Sequence, residues 1–214
     1  MGYESPMPVQ EEVIPFLLGD DNDVIALAQT GTGKTAAFGL PILQKIDVTT
    51  YQPQALVLCP TRELCLQIAD DLNDYSKYID NLKVLPVYGG SSIESQIKTL
   101  KRGVHVVVAT PGRLLDLMNR KTVNLSLVKN VIMDEADEML NMGFTDSINA
   151  ILAEVPENRN MLLFSATMPK EIAAITKRYM KNPKEIVIGN KNEGNKNTVS
   201  YTHLRAHETL ANLV

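Results

Sequence analysis

The chain has 214 residues, 44% of them hydrophobic and 21% charged, with 21 basic and 25 acidic side chains and a net charge of −4. That length suits one domain with a substantial core, and the composition excludes a disordered chain. The apolar runs are far shorter than the roughly 20 residues of a membrane span, no secretory signal pattern opens the chain, and Cys59 and Cys65 are too few for a disulfide framework or a four-ligand zinc site. A cytoplasmic, monomeric domain of α/β class that makes no membrane contact is expected. The mild acidity argues against a broad basic surface but leaves room for phosphate held by backbone N–H groups.

In chain order, the segment 2–10 by itself reads as a loop. Short runs rich in Val, Ile and Leu predict strands at 24–28, 55–59, 83–88, 104–109, 130–134, 161–165 and 185–188. Helical spacing predicts helices at 34–46, 62–78, 92–102, 111–119, 144–155 and 169–181. Pro111 and Pro169 suit a first helical turn, where a missing N–H costs little. Alternating strands and helices with near-continuous apolar strands imply a parallel sheet covered on both faces. Ligands of such sheets bind beyond the carboxyl ends of the strands. The polar stretch 190–198 reads as a linker.

The first strand runs into Ala28-Gln29-Thr30-Gly31-Thr32-Gly33-Lys34-Thr35, the pattern of a P-loop with Ala28 in place of its first glycine. The glycines let the backbone curl so that N–H groups face phosphate oxygens. Lys34 supplies a charge for the β- and γ-phosphates, and the Thr35 hydroxyl is a candidate Mg²⁺ ligand. The fifth strand ends in Asp134-Glu135-Ala136-Asp137. Asp134 is placed for Mg²⁺, and Glu135 to orient and deprotonate an attacking water. The catalytic set is therefore Lys34, Asp134 and Glu135, and the chemistry is nucleoside triphosphate hydrolysis.

Three further strand ends carry donors suited to a phosphodiester backbone: Pro60-Thr61-Arg62, Gly89-Gly90 and Thr110-Pro111-Gly112-Arg113. Each alone is a common turn; together they suggest a track for a nucleic-acid strand. Ser165 and Thr167, after the sixth strand, are candidates to relay the state of the γ-phosphate. Near the start, the Gln10 amide can both donate to and accept from an adenine edge, and Tyr3 can stack on a base.

Read together, these motifs resemble the DEAD-box family of ATP-dependent RNA helicases over residues 2 to about 197. The resemblance implies a RecA-like P-loop fold, with a glutamine-motif region at 1–20, an ATP-binding domain at 21–189 and a linker at 190–198 leading to a second RecA-like domain. It assigns Gln10 and Tyr3 to adenine, residues 28–35 to phosphate and Mg²⁺, and Asp134 and Glu135 to Mg²⁺ and water. Asp137, Ser165 and Thr167 become the coupling between ATP and RNA, with Asp137 linking motif groups across the domain interface. The three strand-end segments become RNA-backbone contacts. Two departures stand out: the family's aromatic upstream of the glutamine is missing, and so is the second domain with its arginine fingers. Weak ATP binding and near-absent hydrolysis and unwinding are therefore expected of this chain alone. The alternative is a free-standing ATP- or RNA-binding module acting through partners.

Residues 199–214 do not fit the family. They closely resemble one reading frame of a transposase-type sequencing adapter, so a non-native tail is expected there. His203 and His207 are accordingly not read as metal ligands. His105, at a strand start, is read as structural, and Cys59 and Cys65 as packing residues.

Overall fold

In a computed structural model, residues 5–19 and 23–188 are described. Tyr3, the linker 190–198 and the tail 199–214 lie outside the described residues. The strands are β1 (Val24–Leu27), β2 (Ala55–Leu58), β3 (Val84–Val87), β4 (Val106–Ala109), β5 (Asn130–Met133), β6 (Asn160–Ser165) and β7 (Lys184–Val187). They form one sheet in the order β3-β4-β2-β5-β6-β1-β7, with every pairing parallel. The helices are α1 (Pro8–Leu18), α2 (Lys34–Gln44), α3 (Arg62–Tyr75), α4 (Ile93–Lys101), α5 (Pro111–Asn119), α6 (Ala136–Asn141), α7 (Thr145–Glu154) and α8 (Lys170–Tyr179).

Both faces of the sheet are buried, which is why its strands read as unbroken apolar runs. Successive residues alternate between two core layers. Leu56, Leu58, Val107, Val131, Met133, Met161 and Leu163 face one layer, with Leu114, Met139, Ile148 and Ile172 from α5 to α8. Ala55, Val57, Val106, Val108, Ile132, Leu162 and Phe164 face the other, with Val13, Phe38 and Ile68 from α1 to α3. Phe38 and Phe164 lie with ring centroids 5.4 Å apart. Pro86, which cannot donate to a ladder, sits on β3 at the sheet edge, where it is tolerated.

All seven expected strands form: β1 to β5 are one or two residues shorter than expected, while β6 and β7 each begin one residue earlier. Two helices were not expected. α1 begins at Pro8 and carries Pro15 inside it, so its sequence reads as a broken loop. It forms because Val9, Val13 and Leu17 bury one face against α2, and because Met7 and Gln10 cap its first turn. α6 has only six residues, too few for periodicity to register.

Cys59 and Cys65 pack in the second core layer, where the Cys65 thiol donates to the Val108 carbonyl at 3.1 Å. The amino ends of the strands are tied by buried polar groups. The Asp23 carboxylate accepts from the Met161 N–H at 2.6 Å and from the Lys181 N–H, joining β6 and the approach to β7 at the start of β1. Burial raises the Asp23 carboxyl above its usual range, and these two N–H groups offset part of that rise.

His105 is fully buried. Its Nδ1 accepts from the Lys83 N–H at 3.0 Å, so the ring proton sits on Nε2, 3.2 Å from the Val48 carbonyl. Desolvation lowers its pKa below the ordinary value of 6.5, with Lys83 adding to the effect and Val48 and Asp47 opposing it. The unfolded chain therefore takes up this proton first as pH falls. The stability linked to His105 is fully present above about pH 6.5 and is lost on acidification toward the depressed folded pKa. The expected result is a fall in the thermal midpoint between about pH 7 and 5 that is smaller in His105→Gln than in the unchanged chain. Parallel curves for the two would show that His105 does not carry this loss.

Candidate functional site

The P-loop leaves β1 and enters α2. Gly31 and Gly33 adopt φ of 75° and 80°, the left-handed region that L side chains avoid. Thr32 Oγ1 closes the turn by donating to the Gln29 carbonyl at 2.8 Å, and Ala28 N–H donates to the Ser165 carbonyl at 3.0 Å. Gly33 has a second reason to lack a side chain. A Cβ there would lie 2.5 Å from Gln10 Nε2 and 2.7 Å from the Met7 sulfur.

Gln10 is thus packed on the loop. Its Oε1 accepts from the Met7 N–H at 3.0 Å, and its Nε2 donates to the Gly33 carbonyl at 3.2 Å. The amide assigned to adenine from sequence already ties α1 to the P-loop, with one N–H and one acceptor lone pair left over.

The strand order β5-β6-β1 brings three carboxyl ends together: the P-loop, Ser165 and the acidic tetrad. Lys34 Nζ lies 3.4 Å from Asp134 Oδ1, with both side chains almost fully buried. Burial raises the Asp134 carboxyl, and Lys34 opposes that rise. Glu135 follows with φ 51° and ψ 51°, a left-handed conformation costly for a non-glycine residue, and its N–H donates to Asp134 Oδ1 at 3.0 Å. Desolvation raises the Glu135 carboxyl, reinforced by the Asp134 charge and partly countered by Lys34. Thr35 is half-buried, with its side chain toward the Asp71 carboxyl; burial and the neighbouring Asp74 and Asp70 raise that carboxyl, and Thr35 offsets part of the rise.

Asp137 has both carboxylate oxygens partnered inside the chain. Oδ2 accepts from the Thr167 N–H at 3.0 Å and the Thr167 hydroxyl at 2.8 Å, while Oδ1 accepts from the Glu138 N–H at 3.2 Å. Its own N–H donates to Ser165 Oγ at 3.3 Å. Desolvation pushes the Asp137 carboxyl up, but the hydrogen bonds from Thr167 and Ser165 prevail and hold it below the usual range. Asp137, Ser165 and Thr167 therefore form one clamp between the ends of β5 and β6.

The other half of the sheet, β3-β4-β2, sets Gly89-Gly90, residues 110–113 and residues 60–62 side by side. Gly89, Gly90 and Gly112 are exposed, and Thr61 caps α3 by accepting from the Leu64 N–H at 3.2 Å. Pro60, Thr110 and Pro111 are buried and shape these turns from within. Arg113 does not reach outward as a free donor, as its place in the sequence suggested. Its Nη1 donates to the Ser91 carbonyl at 3.1 Å and to Gln96 Oε1 at 3.0 Å. Gln96, buried on α4, also donates to the Tyr88 carbonyl at 3.1 Å. Sequence reasoning missed Gln96 as the hub between the two turns; a glutamine within an amphipathic helix carries no signal of such a role.

A glycine-rich loop after β1 and an acidic strand end, two strands apart in an all-parallel sheet, define a domain of the P-loop, RecA-like fold class. The DEAD/DEAH box helicase family model matches residues 7–175, and the chain belongs to that family. It is 51% identical over 188 residues to an ATP-dependent RNA helicase DeaD of Buchnera aphidicola, covering 88% of this chain and 31% of the relative. It is 53% identical to the DeaD helicase of Mycobacterium tuberculosis, covering 87% and 33%. A solved DEAD box protein from Methanococcus jannaschii superposes with a TM-score of 0.83 at 46% identity, covering 87% of this chain and 50% of that one. The chain spans about a third of the length of these curated relatives. Among the described residues no helix is long and apolar enough to cross a membrane.

Proposed function

We propose that this chain is the N-terminal, ATP-binding half of an RNA helicase that uses ATP binding and hydrolysis to separate short RNA duplexes or remodel RNA–protein complexes. The observation that carries the reading is the buried Lys34–Asp134 pair with the strained Glu135 beside it. A lysine that needed only a surface partner would not be desolvated against this carboxylate at the mouth of a P-loop. When ATP arrives, Lys34 turns to the phosphates and the vacated Asp134 oxygen suits a divalent cation, for which carboxylate and hydroxyl oxygens are apt donors. Mg²⁺, when bound, neutralises charge developing on the phosphates. Asp134 and Thr35 are the residues that would hold it.

Gln10, with its remaining N–H and lone pair, supports selection of adenine, and Tyr3 is assigned to stack on the base. Residues 28–35 bind the phosphates. The Asp137–Ser165–Thr167 clamp is suited to pass γ-phosphate state between the acidic strand end and the RNA track. Along that track Thr61, Arg62, Gly89, Gly90 and Gly112 face the RNA backbone, while Pro60, Thr110, Pro111 and Arg113 hold the turns in shape. Backbone contacts carry no base information, so the binding is not sequence-specific. A second RecA-like domain completes both sites, and the chain alone binds ATP weakly and does not unwind.

Titration with a fluorescent ATP analogue tests the reading. Lys34→Ala is expected to weaken binding about 10-fold or more, the scale of one lost hydrogen bond to a charged group, with circular dichroism confirming an intact fold. Equal binding by the two chains would overturn the assignment.

A further inference from the structure

Arg62 and Arg113 are the two arginines of the strand-end track, and the structure treats them differently. Arg113 spends its Nη1 on Ser91 and Gln96. Arg62, the exposed first residue of α3, makes no ion pair with a carboxylate among the described residues. Its guanidinium lies over the Tyr88 ring, with Cζ 5.0 Å from the ring centroid. A Cβ at Gly90 would come 3.6 Å from Arg62 Nη1, so the fork lies beside Gly90. One segment's arginine is therefore seated on another segment's aromatic ring.

That seat is firm. Tyr88 is half-buried and packs against the α1–α3 core layer, and its carbonyl is held by Gln96. An exposed arginine normally samples many rotamers, and fixing them on binding costs affinity. A planar guanidinium on an aromatic face is pre-organised, with its N–H edge free to meet a phosphate.

We propose that Tyr88 is a positioning residue for RNA: it seats the Arg62 guanidinium beside Gly90 so that its free edge meets a backbone phosphate. The proposal rests on the RNA reading of this edge, and the experiment separates the two. The measurement is anisotropy of a labelled oligouridylate of about 10 nucleotides, titrated with the full chain at several salt concentrations.

Arg62→Ala is expected to weaken binding and to reduce the slope of log K against log salt by about 0.7, one phosphate contact on a single strand. Tyr88→Leu is expected to weaken binding about 2- to 5-fold, while Tyr88→Phe, which keeps the ring, binds as the unchanged chain does. Arg62→Lys, which keeps the charge but not the stacked plane, falls to the level of Tyr88→Leu and gives the same information should Tyr88→Leu fail to fold. Tyr88→Leu added to Arg62→Ala has no further effect. Additive losses, a Tyr88→Phe as weak as Tyr88→Leu, or an Arg62→Lys that binds fully would overturn the seat. An Arg62→Ala chain with unchanged affinity and slope, or no binding by the unchanged chain, would overturn the RNA reading itself.

Discussion

Glu135→Gln in the full-length protein is expected to lower ATP turnover about 10²- to 10⁴-fold, the range for a lost general base, while ATP binding persists. The amide keeps the size and shape of the carboxyl but cannot take a proton from water. The site favours Glu135 for that task. Desolvation and the Asp134 charge raise its carboxyl above the usual range, the direction that makes a carboxylate a stronger base. Its backbone is left-handed, and the neighbouring Asp134 carboxylate, not Glu135, lies against Lys34. Single-turnover hydrolysis alongside nucleotide binding checks the prediction. Unchanged turnover would remove Glu135 from the base role and leave it as an acidic neighbour of the cation.

The second large effect concerns the division of labour between domains. The chain alone is expected to hydrolyse ATP about 10³- to 10⁵-fold more slowly than the two-domain protein with RNA, the contribution of an arginine finger in related hydrolases. In the described half, the lysine placed for the phosphates is Lys34, and its charge already balances the buried Asp134. With ATP bound Lys34 turns to the phosphates, and the negative charge spreading in the transition state calls for a further cation, the arginine finger expected from a second domain. Phosphate release with and without RNA, from the chain and from the full-length protein, makes the comparison. Brisk RNA-stimulated hydrolysis by the chain alone would refute it.

Much of this site was legible because its chemistry is done by backbone geometry and short local spacing. Gly31, Gly33 and Lys34 sit within a few residues of one another, and Asp134 to Asp137 form an unbroken run. What was hidden depends on contacts between distant segments. Arg113 reads as a free donor in sequence because nothing local reveals Gln96, 17 residues away, or the Ser91 carbonyl. The Tyr88 seat is equally silent, since an aromatic at a strand end is ordinary packing until Arg62 is seen above it. The resemblance assigns Asp137 to link motif groups across the domain interface, and the sequence does not show that its carboxylate also accepts from Thr167 and Glu138 within this chain. α1 was lost to its own prolines, whose local rule was overridden by burial against α2.

The sheet's two ends also differ in what a substitution there can change. The P-loop, the acidic tetrad, the clamp and the arginine seat all gather at the carboxyl ends of the strands. The polar ties at Asp23 and His105 lie at the amino ends, the length of a strand away. Changes at sites that share no partners combine nearly independently. Robustness and activity are thus separately adjustable in this domain: its melting behaviour can be tuned from one rim while the chemistry on the other is left alone.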